Sequence, residues 1–118
     1  MKKFLVSATL AFICLFAGSR MALAHALLVT STPAANGTVH GPGVAVNLKF
    51  NSRVDGKRSR LVLVCPNGST QVLSLTVQPA PEELAARAEL EPGAYILRWQ
   101  AVAADGHITR GEIPFKVQ

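Results

Sequence analysis

Between Val44 and Phe50 every second residue is a large apolar one. Val44, Val46, Leu48 and Phe50 alternate with Ala45, Asn47 and Lys49. Successive side chains of an extended chain point to opposite faces, so this run can bury one face and wet the other as a strand, whereas a helix would scatter it. The pattern returns at Tyr95, Leu97, Trp99 and Ala101, set against Arg98 and Gln100, and again at Ile113, Phe115 and Val117 within Glu112 to Val117. Trp99 is therefore expected in the core. Leu61-Val62-Leu63-Val64, following Arg60, reads as a strand buried on both faces. Thr70 to Val77 resumes with Val72, Leu75 and Val77 expected inward. Ala26 to Thr30 is a further short strand. Turn signals separate these runs: Pro33 and Asn36-Gly37, Gly41-Pro42-Gly43, Asp55-Gly56, Pro66-Asn67-Gly68, and Glu91-Pro92-Gly93. Glu82 to Leu90 has helix-forming composition after a proline start, but its length is marginal and its neighbours are all β, so a strand is expected. Six or seven short strands and little helix predict an all-β fold. The expected architecture is an immunoglobulin-like antiparallel β-sandwich of about seven strands.

The first 24 residues have a different character. Lys2 and Lys3 precede an apolar run from Phe4 to about Ala17, and Ala22-Leu23-Ala24 closes the segment with the small-x-small pattern of a signal-peptidase site. The run spans about 14–15 residues, short for a transmembrane helix. Residues 1–24 are thus expected to be a cleaved secretory signal and residues 25–118 the exported domain, with nothing embedded in the membrane after cleavage. No lipobox fits Cys14, because Phe12-Ile13 precede it. Cys65 is then the only cysteine of the mature chain, and the core must hold without an internal disulfide. It reads as a small apolar residue at a strand end. Removing Lys2, Lys3 and Arg20 leaves nine basic against seven acidic residues, too little excess charge for nucleic-acid binding. Arg53, Lys57, Arg58 and Arg60 gather in one polar stretch and read as a solvated loop.

Cleavage after Ala24 would make His25 the first residue. A terminal histidine offers its α-amine and its ring Nδ1, which together close a six-membered chelate ring. The amine is also cheap to deprotonate, costing roughly 1 kcal/mol near pH 7 against roughly 5 kcal/mol for a lysine. Downstream, Asp105-Gly106-His107 places a carboxylate and an imidazole at i and i+2, which share a side in extended backbone. His25, Asp105 and His107 would together supply three nitrogens and one oxygen, a donor set that suits Cu(II) above Zn(II) or Ni(II). His40 has no partner at ligand spacing and is expected on a surface loop.

The residues that fix a resemblance are spread along the mature chain. They are His25-Ala26, Thr32-Pro33-Ala34, Leu48-Lys49-Phe50, Pro92-Gly93-Ala94-Tyr95, Trp99 with Val102, Asp105-Gly106-His107, Gly111-Glu112 and Phe115-Lys116-Val117. In these the chain resembles the CopC family of exported copper-binding proteins over essentially its whole mature length. The resemblance implies a small Greek-key barrel or sandwich in the bacterial periplasm, a monomer carrying Cu(II). The implied ligands are His25 through amine and ring, His107 through its imidazole, and Asp105 through oxygen. It also implies an inner-membrane copper transporter of the CopD type as partner. Two departures matter. Some members place a second histidine two residues after the first and a carboxylate just after the second strand; here those places hold Leu27 and Ser52. Some also carry a methionine-rich loop for Cu(I), whereas the methionines here are Met1 and Met21, both in the leader. The sequence resembles the Cu(II)-only kind.

Three functions compete. A periplasmic copper carrier or chaperone without a reaction of its own fits best. Lytic polysaccharide monooxygenases also set an N-terminal histidine and a second histidine around copper on a β-sandwich, but they need a broad binding surface, which 94 residues with one Trp and one Tyr do not offer. An immunoglobulin-like structural module with incidental histidines is the third.

Overall fold

The alternating runs do form strands, and what positions the rest is how those strands share two sheets. The computed structural model describes residues 25–118. The proposed leader and its cleavage site lie outside the described residues. The strands are β1 (Leu28–Thr32), β2 (Gly37–Val39), β3 (Gly43–Phe50), β4 (Arg60–Val64), β5 (Thr70–Leu73), β6 (Glu83–Glu89), β7 (Gly93–Val102) and β8 (Ile108–Val117). One sheet has the order β1-β3-β6 and the other β2-β8-β7-β4-β5. The two inner faces meet in one core, in which Leu48, Phe50, Leu61, Leu63, Leu84 and Leu97 are fully buried. Each such side chain contributes about 1.5–3 kcal/mol on burial. This is the expected all-β, immunoglobulin-like sandwich, and it holds Cys65 as a single half-buried thiol.

Several packing details follow from the sequence. Phe50 and Trp99 meet edge to face with ring centroids 5.3 Å apart, and Tyr95 stacks on Phe115 at 5.6 Å. The Tyr95 hydroxyl donates to the Glu91 carbonyl at 2.7 Å, the corner that pins a strand entrance in sandwiches of this kind. Burial raises the Tyr95 phenol above its ordinary value of 10.0. Gly111 faces Trp99 across the β7–β8 pair, where an added Cβ would lie 2.5 Å from two indole carbons. Only a glycine lets the indole lie there.

The segment of ambiguous composition is a strand. Leu84, Ala86 and Ala88 of β6 are buried in alternation while their backbone pairs with β3 from Gly43↔Glu89 to Lys49↔Glu83. Other expectations need correction. Val72, expected inward, is 58 % exposed, and its neighbour Leu73 is the buried residue of β5. A strand read one residue out of step turns every side chain to the wrong face. Val77, also expected inward, is 93 % exposed, because β5 ends at Leu73. The chain then crosses to the other sheet, where Leu75 bridges Ala86 and the Thr76 N–H donates to the Ala85 carbonyl. Val62 and Val64 are only half-buried, so β4 is not covered equally on its two faces. Strand β2, lying between the turn signals at Asn36-Gly37 and Gly41-Pro42-Gly43, is three residues long and runs parallel to β8. Strand β8 begins at Ile108, not Glu112, and β1 lies two residues later than expected.

Candidate metal centre

Residues Ala103 to His107 close the β7–β8 hairpin beyond the Val102↔Ile108 pair. The Ala103 N–H donates to the His107 carbonyl at 2.8 Å, and the Gly106 N–H to the Ala103 carbonyl at 2.9 Å. Gly106 has φ +91°, a conformation glycine tolerates without steric cost. Asp105 completes the turn by accepting the His107 backbone N–H on Oδ1 at 3.1 Å. Its other oxygen, Oδ2, lies 2.6 Å from His107 Nδ1. The carboxylate and imidazole meet each other directly, through a tight turn and not through extended backbone.

A carboxylate can only accept, so His107 Nδ1 carries the proton and Nε2 is the nitrogen left with a free lone pair. The backbone N–H of His107, and then its ring, hold the Asp105 carboxyl below its usual value of 3.8. Asp105 and His107 are both exposed.

The other arm comes from the start of the domain. Thr109 Oγ1 donates to the Ala26 carbonyl at 2.8 Å, tying the residue after His25 to β8. The Leu27 N–H donates to Asn51 Oδ1 at 2.8 Å, and the Asn51 N–H returns a bond to the Leu27 carbonyl at 2.9 Å. These anchors bring the His25 ring against the His107 ring, with centroids 4.9 Å apart and planes at 63°. Two imidazoles so placed can converge on one ion at the ordinary metal–nitrogen distance of about 2.0–2.1 Å. The donor chemistry therefore fits a borderline divalent metal. Among the described residues no group of three or more His, Cys, Asp and Glu side chains surrounds a common point. The structure brings His25 to His107 and Asp105 to His107, but it does not gather all three around one centre.

Ser52 is the residue that the sequence left without a role at this end. It lies between Asn51, which holds Leu27, and Val54, which bridges Ala103. Its Oγ is buried with no hydrogen-bond partner among the described residues. His40 is exposed in the loop before β3, beside the bond from the Gly41 N–H to the Gln118 carbonyl, at the opposite end of β8 from His107. Ten residues of strand put about 30 Å between the two ends. Cys65, in the β4–β5 turn beyond the Val64↔Ile96 pair, also lies at the end away from His107.

Residues 28–118 match the CopC domain. The chain belongs to the CopC family. Escherichia coli (strain K12) Protein YobA is 32 % identical over 99 residues, covering 80 % of each chain. The crystal structure of CopC from Methylosinus trichosporium OB3b superposes with a TM-score of 0.70 at 28 % identity, covering 80 % of this chain and 94 % of that one. PcoC, described as a methionine-rich copper resistance protein from Escherichia coli, superposes with a TM-score of 0.63 at 27 % identity, covering 80 % of this chain and 100 % of that one.

Proposed function

We propose that this chain carries copper as Cu(II), held by His25, Asp105 and His107, after export and cleavage behind Ala24. As a CopC-family member it is a periplasmic copper-binding carrier. The observation that carries the finer reading is the pairing of the His25 and His107 rings, on arms from separate sheets, at 4.9 Å. His25 would contribute its freed amine and ring nitrogen, His107 its Nε2, and Asp105 an oxygen donor whose charge offsets that of the ion. The bond from His107 Nδ1 to Asp105 leaves Nε2 as the nitrogen free for the ion, and the carboxylate would leave Nδ1 to reach that same ion.

The preference for Cu(II) rests on what residues 25–118 lack in sequence. They contain no methionine, unlike the methionine-rich PcoC, and their one cysteine lies at the end away from the histidines. Soft thioether and thiolate clusters, which hold Cu(I), are therefore missing from the sequence. The proposed carrier works as a monomer and hands its ion to an inner-membrane transporter of the CopD type. Among the described residues no helix is long and apolar enough to cross a membrane.

The test is a Cu(II) titration of two chains, one starting at His25 and one with a single alanine before it, read by competition with a chromophoric chelator and by spin resonance. The added residue turns the amine into an amide and removes the chelate ring while every side chain stays. Weakening of at least about tenfold is expected. Equal affinity of the two chains would overturn the proposed ligand set.

A further inference from the structure

The outer face of the five-stranded sheet carries a feature that copper binding does not use. Register places Arg60, Gln100 and Arg110 side by side across β4, β7 and β8, and Val62, Arg98 and Glu112 in the next row on the same face. Together with Trp99 and Gly111 these six residues line an open groove of about 580 Å³. All three arginines are exposed. Arg98 pairs loosely with Glu112, Nε to Oε1 at 3.4 Å, and Arg110 Nε donates to Gln100 Oε1 at 2.9 Å. Among the described residues no carboxylate pairs with Arg60 or Arg110. The groove thus holds three guanidinium groups against one carboxylate.

We propose that this groove is a docking site for an extended acidic segment of a partner protein. Three features support that occupant. Every cation lining the groove is an arginine, whose planar fork grips a carboxylate through two parallel hydrogen bonds, while the mature chain's lysines, Lys49, Lys57 and Lys116, lie elsewhere. The two rows are two residues apart along the strands, about 6.6 Å, which is the spacing at which an extended peptide repeats side chains on one face. Glutamates at alternate positions would therefore meet Arg98 from one row and Arg60 or Arg110 from the other. A groove with the apolar Val62 side chain beside its arginines also suits a peptide better than a flat anionic bilayer. Its position gives the docking a use. Arg110 lies three residues from His107 on the same hairpin, so a bound partner sits about 10 Å along the strand from the histidines.

The experiment uses the apo domain, so that its outcome does not depend on the copper ligands. A fluorescein-labelled peptide of alternating glutamate and threonine is titrated by anisotropy at about 20 mM and about 300 mM salt. The same peptide with glutamine for glutamate, and phosphatidylglycerol vesicles, serve as comparisons. Saturable binding of the glutamate peptide is expected, weakened by salt and absent for the glutamine peptide. Arg60→Gln with Arg110→Gln should weaken it at least about tenfold, and Lys49→Gln with Lys116→Gln, the same change of net charge on other exposed surfaces, by no more than about twofold. Equal loss in the two double variants would reduce the effect to net charge and overturn the site. So would failure of the glutamate peptide to saturate, or displacement of that peptide by the vesicles.

Discussion

Gly111→Ala adds a single methyl group, and the structure says what that group must displace. Its Cβ would stand 2.5 Å from Trp99 Cε2 and Cζ2 and 2.7 Å from Nε1, about 1 Å inside ordinary van der Waals contact. The indole cannot retreat inward, because its other side meets the fully buried Phe50 edge to face at 5.3 Å. Either β8 moves away from β7 or the indole leaves its packed position. Overpacking of this kind costs about 1–3 kcal/mol. A 94-residue domain has roughly 5–14 kcal/mol of stability in all, so the loss is a large share of it. The midpoint of thermal unfolding should fall by about 4–8 °C for each kcal/mol.

Urea unfolding followed by far-UV circular dichroism gives the cost without relying on the indole as reporter. The same substitution in a Trp99→Phe background isolates the cause, since the smaller ring removes the indole atoms that the new methyl group meets. Gly111→Ala should then cost at least about 1 kcal/mol less than in the wild-type chain. Full stability of Gly111→Ala on its own would refute the reasoning. An equal cost in both backgrounds would assign it to backbone, not to the indole.

His107→Ala should weaken Cu(II) binding by far more than His40→Ala, which removes an exposed imidazole about 30 Å away, and Asp105→Asn should fall between them, about 10–100-fold below wild type; chelator competition on the three variants checks the order, and a larger loss at His40 would sink the assignment. Tyr95, raised by burial, titrates later when folded than when unfolded, so its contribution to stability is complete below about pH 10 and is lost as pH rises through the folded value. Tyr95→Phe should flatten that alkaline decline in a series of urea midpoints, and an unchanged decline would assign it to other groups.

The strands with strict alternation were legible because burial of one face writes itself into a local period of two. Val44 to Phe50 and Tyr95 to Ala101 needed no knowledge of their partners. Where pairing is non-local the sequence was silent. Gly37–Val39 is too short to show a period, and it becomes a strand only by pairing with Phe115 to Val117, almost 80 residues away. The same limit explains Val72 and Val77. Their environment is set by the crossing between sheets after Leu73, which no single strand pattern encodes. At the site, Asp105-Gly106-His107 was visible as a cluster, and the approach of His25 to it was suggested by chemistry alone. That Asp105 would already be bonded to His107 Nδ1 depends on the turn geometry around Gly106, which spacing does not give.

The two arms of the proposed site also bear on stability. His25 precedes β1, in the three-stranded sheet, and His107 closes the β7–β8 hairpin of the five-stranded sheet. A copper ion bound to both would join residues 82 positions apart in sequence, as a disulfide would, in a domain whose described residues hold one cysteine, Cys65. An unfolded chain does not hold the two imidazoles together, so copper binds the folded state preferentially and stabilises it by mass action. At free Cu(II) of 100 times Kd the gain is about 2.7 kcal/mol, which for a domain of this size raises the unfolding midpoint by about 10–20 °C. His107→Ala, lying on an exposed loop, should leave the midpoint without metal nearly unchanged and abolish most of the rise. A chain that saturates with Cu(II) while its midpoint stays fixed would show that the ion is held by one arm alone. The pairing of His25 with His107 would then not be the copper site.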